Sequence, residues 1–595
     1  MTQGTTWLLS QFNKCYPSSF AGSPFSRIAL SSNCISIYKR ANPGAYLSFC
    51  IFFMATVLPE CDYTSQGLED FSLIQGNYSV PKCPNQGNGD WVDPDAPAVP
   101  PNMKGEWERF NEKASFFVGG ASAGDIRQGR FGTCYFLAAL AALAEEAPKK
   151  IHSLPALSKG KGAVCIQWYP TGVPTDTWVD TRYLKGPADN VISAHSQGNF
   201  EMWVTLLEKA YAKEMGGYQK VYGGYSCDAF ADLLGCPALE YDLTTGFHST
   251  IWKALHGVKK HRSIFSSQST EKTEYTNVAC ASVMGDPIHR FLALGMMRNI
   301  KWALICTYRL LHYLLTLCNA EFLIEFPFSV FVWTRYYVTM LFKVLDKITC
   351  GVIFGEDGLL FHIYAYVCLS TIGLMPNHAY SILDVRGGGC NCDIFGKFVK
   401  LRNPWGQMEW RSWYSDKSIC WKLRPGLKKE LEMKDENDGA FWMSLGDFVT
   451  YFDLMHVAHL DPLLVSKRAK AKITKRHAYF YFEVTSDEGG NSENLVVYVS
   501  ASFSRKTQGL HAKKIRLFEG DKKPKSFEDR GLCGGSENDY WSFNYHICTP
   551  RIELKPGKYC AYINLSNTPL PSDVILTLHH HKPSSRVRFC NFKTV

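Results

Sequence analysis

QGRFGTCYFLAALAALAEEA, Gln128 to Ala147, places two glycines and a cysteine directly before an unbroken helix-forming run. Alanine and leucine lose little on entering a helix, so the run from Tyr135 onward predicts one, with Cys134 at its N-terminus. The amides and dipole there favour a negative sulfur, so the position predicts a thiol with a lowered pKa. A thiolate still needs an imidazole to share the proton and deliver it to a leaving amine, and a neutral oxygen to fix that ring. His378 and Asn403 follow Cys134 in the order those roles require. Spacing alone makes this a weak signal.

Outward from that stretch, WVTLLEKAYAKEM after Phe200 predicts a second helix with Trp203, Leu206, Leu207, Ala210 and Tyr211 on one face. HAYSILDV, a glycine-rich turn and FGKFVKLRNPW predict a β-hairpin. From 477 onward, YFYFEVTS, NLVVYVSASF, KKIRLFEG, RIELKPGKYCAYINL and DVILTLHHH predict an antiparallel β-sandwich.

Five ordered motifs resemble the calpain family of papain-like cysteine proteases. They are Gln128–Ala144, WVTLLEKAYAKEMGGYQKVYGG, NHAYSILDV, LRNPWGQMEWRSWYSD and DGAFWMSLGDFVTYFD. The resemblance implies an α+β fold: a two-lobed papain-like protease core followed by an antiparallel C2-like β-sandwich. It divides the chain into an irregular extension (1–104), a first lobe with Cys134 (105–284), an unmatched apolar insertion (285–370), a second lobe with His378 and Asn403 (371–462), a basic linker (463–476) and the sandwich (477–595). By the same resemblance Cys134 is the nucleophile, His378 the base and Asn403 its orienter under Trp405. Gln128 is the oxyanion-hole glutamine beside the Cys134 amide.

The family also binds two calcium ions, and hard cations take oxygen ligands. The matching positions are the Val118 and Gly120 carbonyls, Asp125 and Glu208 in the first lobe, and Glu409, Asp416 and Asp438 in the second. Ala440 stands where the family usually has another acid, which weakens the second site. Thr133, Tyr135 and Asn377 replace the usual Asp, Trp and Gly; asparagine tolerates the left-handed backbone a glycine would supply. No EF-hand loop follows the sandwich, as in the non-classical calpains.

The implied activity is a calcium-dependent, intracellular cysteine endopeptidase making limited cuts in protein substrates. A catalytically silent calpain-like scaffold is the competing class, and the insertion before His378 speaks for it. A transglutaminase or other Cys-His acyltransferase shares the triad but not the Asn-Pro-Trp-Gly motif.

Composition fits this reading. The chain is 46% apolar and 20% charged, ordinary for globular domains, with a formal net charge of +9. The basic block Lys467–Lys472 reads as a solvated linker that could also meet acidic membrane lipid, and nothing accompanies it that suggests nucleic acid. The 21 scattered cysteines favour a reduced, cytoplasmic setting. Cys390-Asn-Cys392 lacks the second half of a zinc site, and His579–His581 reads as an exposed strand end. The Ala45–Leu58 stretch is short for a membrane span, and Gly358–Asn377 ends against His378, which argues against a spanning helix there. The insertion reads as a translated intron or gene-model error, with a real surface or membrane-contacting excursion as the alternative.

Overall fold

A computed structural model describes residues 72–74, 90–157, 162–187, 190–197, 201–243, 248–256, 276–283, 369–370, 372–387, 396–461, 463–486, 494–503, 513–520, 545–565, 572–581 and 586–594. Ala45–Leu58, nearly all of the 285–370 insertion, Cys390 and Cys392 lie outside the described residues. Among those described, no helix is long and apolar enough to cross a membrane.

The first lobe is built on the helix Cys134–Glu146. Its residues from Tyr135 to Ala144 are all buried, so an Ala/Leu run without a polar stripe serves here as a central helix rather than a surface one. The helix Trp203–Glu214 packs into the same core, with Phe136 stacked on Tyr211 at 4.1 Å. It is buried around its circumference, Glu208 and Lys209 included, which one apolar face does not predict. Those charges enter the core because each is paired: Lys209 with Asp180, Glu208 with Thr133.

The second lobe carries a six-stranded antiparallel sheet in the order Ala440–Ser444, Phe398–Arg402, His378–Arg386, Thr276–Val283, Leu454–Leu460, Ala238–Asp242. The expected hairpin is present as the pairing of His378–Arg386 with Phe398–Arg402. The boundary at 284 needs correction. Strands Ala238–Asp242 and Thr276–Val283 precede it in sequence but hydrogen-bond into the second lobe's sheet. Val283 lies opposite His378, so the chain leaves the sheet at Val283 and re-enters beside its own exit at His378. One sheet face (Val278, Cys280, Ala379, Leu383, Ala458) joins the core of the first lobe. The other face (Ala279, Ala281, Tyr380, Ile382, Val399, Leu401) fills a core of its own, the alternation a two-sided buried strand requires.

C-terminal to this, two antiparallel sheets enclose a third core. One runs Ser72–Ile74, Leu464–Ile473, Ser572–His581, Leu495–Phe503, His546–Cys548, with Ile552–Leu554 also on Leu495–Phe503; the other runs Lys513–Glu519, Gly557–Leu565, His477–Val484, Val587–Thr594. Two expectations fail here. The basic linker 463–476 is largely the strand Leu464–Ile473, paired along its length with Ser572–His581 and, at Arg468–Lys470, with Ser72–Ile74 of the N-terminal extension. Counting charge hid its period of two: Ala469, Ala471 and Ile473 are buried while Lys470 and Lys472 are exposed. The histidine run is not exposed either. His579 and His580 are buried, and His579 bridges the hydroxyls of Ser466 and Ser500.

The sandwich is tied to the first lobe at the helix Ser226–Leu234. The Asp228 carboxylate accepts from the amides of Tyr545 (3.2 Å) and His546 (2.8 Å). Arg468 donates to the carbonyl of Gly235, the left-handed residue that ends that helix.

Candidate active site

Gly129 lets the chain turn toward Cys134, because a Cβ there would lie 2.0 Å from the Ile192 carbonyl oxygen. Thr133, at the helix start, does not cap with its side chain. Its hydroxyl instead donates to Glu208 Oε1 at 2.6 Å, and Glu208 Oε2 accepts from the Ala194 amide at 2.7 Å. The residue before the nucleophile is thus pinned to the second helix of the lobe.

His378 opens its strand directly after Asn377, which takes the left-handed backbone (φ 53°) that its replacement of glycine predicts. Asn403 follows the neighbouring strand and its Oδ1 lies 2.8 Å from His378 Nε2. The same oxygen accepts from the Trp405 amide (3.0 Å), and Asn403 Nδ2 donates to the Met408 carbonyl. Those contacts fix the carboxamide's orientation, so His378 Nε2 must carry the proton and Nδ1 must offer a lone pair. The Trp405 ring lies 4.6 Å from the imidazole, covering that bond as expected. Burial pushes the His378 pKa down to about 4 against the pull of Asn403, leaving a neutral base at neutral pH.

The thiol behaves otherwise than its helix position predicts. Burial pushes the Cys134 pKa up, and the amides of Ala379, Tyr135 and Cys134 itself only partly oppose this. Among the described residues no hydrogen bond joins Cys134 to His378. Desolvation outweighs the helix terminus here, and the pair stands as neutral thiol and neutral imidazole. Gln128 Nε2 donates to the Phe131 carbonyl at 2.8 Å, and its backbone amide donates to the Pro404 carbonyl across the cleft. Its buried Oε1 has no hydrogen-bond partner.

Two oxygen-rich clusters flank this centre. In the first, Asp125 closes its own turn by accepting from the Ser122 amide, and Glu201 Oε1 accepts from the Val118 amide at 2.8 Å. Burial raises the pKa of Glu201, and the neighbouring Asp125 raises it further. Glu201 therefore faces Asp125 and the Val118–Gly120 loop, whereas Glu208 spends both oxygens inside the core. Glu208 thus lies apart from Asp125 and holds Thr133, while Glu201, which the sequence reading did not single out, is the acid beside Asp125. Seven residues separate the two, about two helical turns, so spacing alone does not distinguish them.

In the second cluster Glu409, Asp435 and Asp438 lie near enough to Asp416 for their charges to act on it. Burial pushes Asp416 up to about 7, followed by the charges of Glu409, Asp435 and Asp438. Glu409 accepts from the Gly439 amide and Asp438 from the Ala440 amide, each at 2.8 Å. Carboxylate oxygens are the donor type that a hard divalent cation takes.

A partly exposed cysteine at a helix N-terminus, a histidine held through Nε2 and a glutamine at the adjoining turn make up the residue set of a papain-type centre. The family sequence model described as calpain family cysteine protease matches residues 95–298 and 348–459, more than half of the chain. The chain belongs to the calpain family. It is 24% identical to human Calpain-14 over 404 residues, 67% of this chain and 45% of that protein. It is 27% identical to Drosophila melanogaster Calpain-A over 378 residues (61% and 34%) and 26% identical to human Calpain-8 over 407 residues (66% and 43%). The chain thus spans less than half the length of these relatives. The two family blocks leave 299–347 between them, a shorter gap than the expected insertion.

Proposed function

We propose that the chain is a calcium-dependent cysteine endopeptidase making limited cuts in protein substrates. The observation that carries this is the Asn403–His378 bond, which presents His378 Nδ1 as the free base for the Cys134 thiol. In the reaction, Nδ1 takes the thiol proton as sulfur bonds to the scissile carbonyl carbon. Negative charge develops on the carbonyl oxygen, where the Cys134 amide and the second N–H of the Gln128 carboxamide receive it. The imidazolium returns its proton to the leaving amine, and water then releases the acyl group by the same steps reversed.

Val118, Gly120, Asp125 and Glu201 would hold one calcium ion, and Glu409, Asp416 and Asp438 the other. Bound cations would neutralise the acidic crowding on both sides of the cleft. The unpaired Cys134 and His378 fit a centre that such binding brings into register. The same observation favours a second reading, a catalytically silent scaffold.

The C-terminal sandwich reads as the calpain-type C2-like domain, with Lys470 and Lys472 exposed for acidic lipid. The described cysteines are thiols rather than disulfides, in keeping with a cytoplasmic setting with reversible membrane association. The test is casein cleavage by the purified chain with calcium and with chelator. Cleavage that needs calcium and vanishes in Cys134→Ala supports the protease. An inert chain whose Cys134 resists alkylation at saturating calcium supports the scaffold.

A further inference from the structure

Away from the cleft, Cys227, Glu240 and His456 bring a thiol, a carboxylate and an imidazole together, with one ligand atom of each within 4.8 Å of the others. They come from three elements that meet where the lobes join. Cys227 lies in the first turn of the helix Ser226–Leu234, and Glu240 and His456 are directly opposed on neighbouring strands of the second lobe's sheet. His456 is fully buried and Cys227 nearly so. His456 Nε2 lies 3.1 Å from Glu240 Oε2, while its Nδ1 has no hydrogen-bond partner. A buried imidazole with one nitrogen unpaired is costly unless something else engages the ring.

We propose that Cys227, Glu240 and His456 form a transition-metal site that takes zinc. The donor set selects the metal: sulfur and nitrogen suit a borderline cation such as Zn²⁺, while calcium takes oxygen ligands. In a tetrahedral zinc site, bonds of about 2.0–2.3 Å place ligand atoms roughly 3.3–3.8 Å apart. The cluster therefore needs to contract by only about an ångström. On binding, the Cys227 thiol gives its proton to solvent and a water fills the fourth position. The Asp228 oxygens are already held by the Tyr545 and His546 amides.

The site would act on the catalytic lobe through Ser226. That residue precedes Cys227 and donates its hydroxyl to the carbonyl of Tyr135, in the first turn of the nucleophile helix, at 3.0 Å. Zinc would thereby fasten this helix to the edge strand Ala238–Asp242 and its neighbour Leu454–Leu460 in the opposite lobe, at a place separate from the two oxygen clusters.

The test uses the full-length chain carrying Cys134→Ala, which removes the reactive thiol as a competing ligand. After dialysis against zinc it should hold one ion per chain in elemental analysis, and cobalt in its place should give a thiolate-to-metal charge-transfer band. Cys227→Ser should abolish the band, and His456→Gln should weaken zinc binding on the order of 100-fold. Circular dichroism controls for folding. Should Cys227→Ser fail to fold, X-ray absorption on the zinc-loaded Cys134→Ala chain decides. A shell of one sulfur with nitrogen and oxygen supports the site; a shell without sulfur, or with several sulfurs, overturns it. Absence of stoichiometric zinc, or a band that survives Cys227→Ser, also overturns it.

Discussion

Arg402, next to Asn403 in the second lobe, donates from Nη2 to the Ile126 carbonyl of the first lobe at 2.9 Å. Its side chain is almost wholly buried, and Asp125 and Asp438, one from each oxygen cluster, both stabilise its charge. The guanidinium therefore links the two acidic loops, the lobe interface and the residue that orients His378. Arg402→Met replaces a buried charge with apolar volume, so stability should change by only about 1–3 kcal/mol. Calcium-activated cleavage should fall at least tenfold, with the calcium midpoint moved upward. Thermal melts beside a calcium titration of casein cleavage check this; unchanged activity would remove Arg402 from the lobe-alignment account.

Gln128 stands at the turn into the nucleophile helix, with one N–H committed to Phe131. If the other N–H meets the developing oxyanion, Gln128→Ala should lower kcat by about 10²–10³ and leave KM nearly unchanged. Iodoacetamide should still alkylate Cys134 at close to the parental rate, since the thiol itself is untouched. A parallel loss of alkylation would mean that the substitution disturbs the turn instead.

The candidate site residues were legible because each sits in a short local motif: Gly-x-Cys before an Ala/Leu helix, Asn-His-Ala-Tyr-Ser, Asn-Pro-Trp-Gly. What was not legible depends on pairing across long separations. The strand Thr276–Val283 joins the second lobe only because His378–Arg386 and Leu454–Leu460 take it up on either side. Lys467–Lys472 looks like a charge run until Ser572–His581 gives it a register. Cys134 shows the same limit in energetic form. Its helix position is visible in sequence, but the burial that outweighs the helix terminus belongs to the assembled lobes.

The different surroundings of Glu208 and Glu201 separate two variants cleanly. Glu201 lies beside Asp125 and the Val118 loop, so Glu201→Gln removes one charge from the first cluster and should weaken calcium binding there by tenfold or more. Glu208→Gln should leave that affinity within about twofold, because Glu208 already gives its oxygens to Thr133 and Ala194. Terbium luminescence titrations of the two variants read this without relying on catalysis. The reverse pattern would restore Glu208 as the ligand.

Glu208 carries a distinct pH signature. Burial pushes its carboxyl from 4.5 up to about 7, against the pull of the Thr133 hydroxyl and Ala194 amide. A raised carboxyl favours the protonated folded state. Its contribution to stability is therefore complete below pH 4.5 and lost as pH rises through about 7. At 1.36 kcal/mol per unit, the loss across that window is at most about 3 kcal/mol. A glutamine keeps both contacts, accepting from Ala194 and donating to the Thr133 hydroxyl, and does not titrate. Urea unfolding of the first lobe, followed by tryptophan fluorescence from pH 5 to pH 8, should show the parent losing stability relative to Glu208→Gln as pH rises. Parallel curves for the two proteins would mean that Glu208 is already ionised in its pocket. The Thr133 contact would then be a charge-assisted bond, and its loss in Glu208→Ala should slow Cys134 alkylation at every pH rather than only below neutrality.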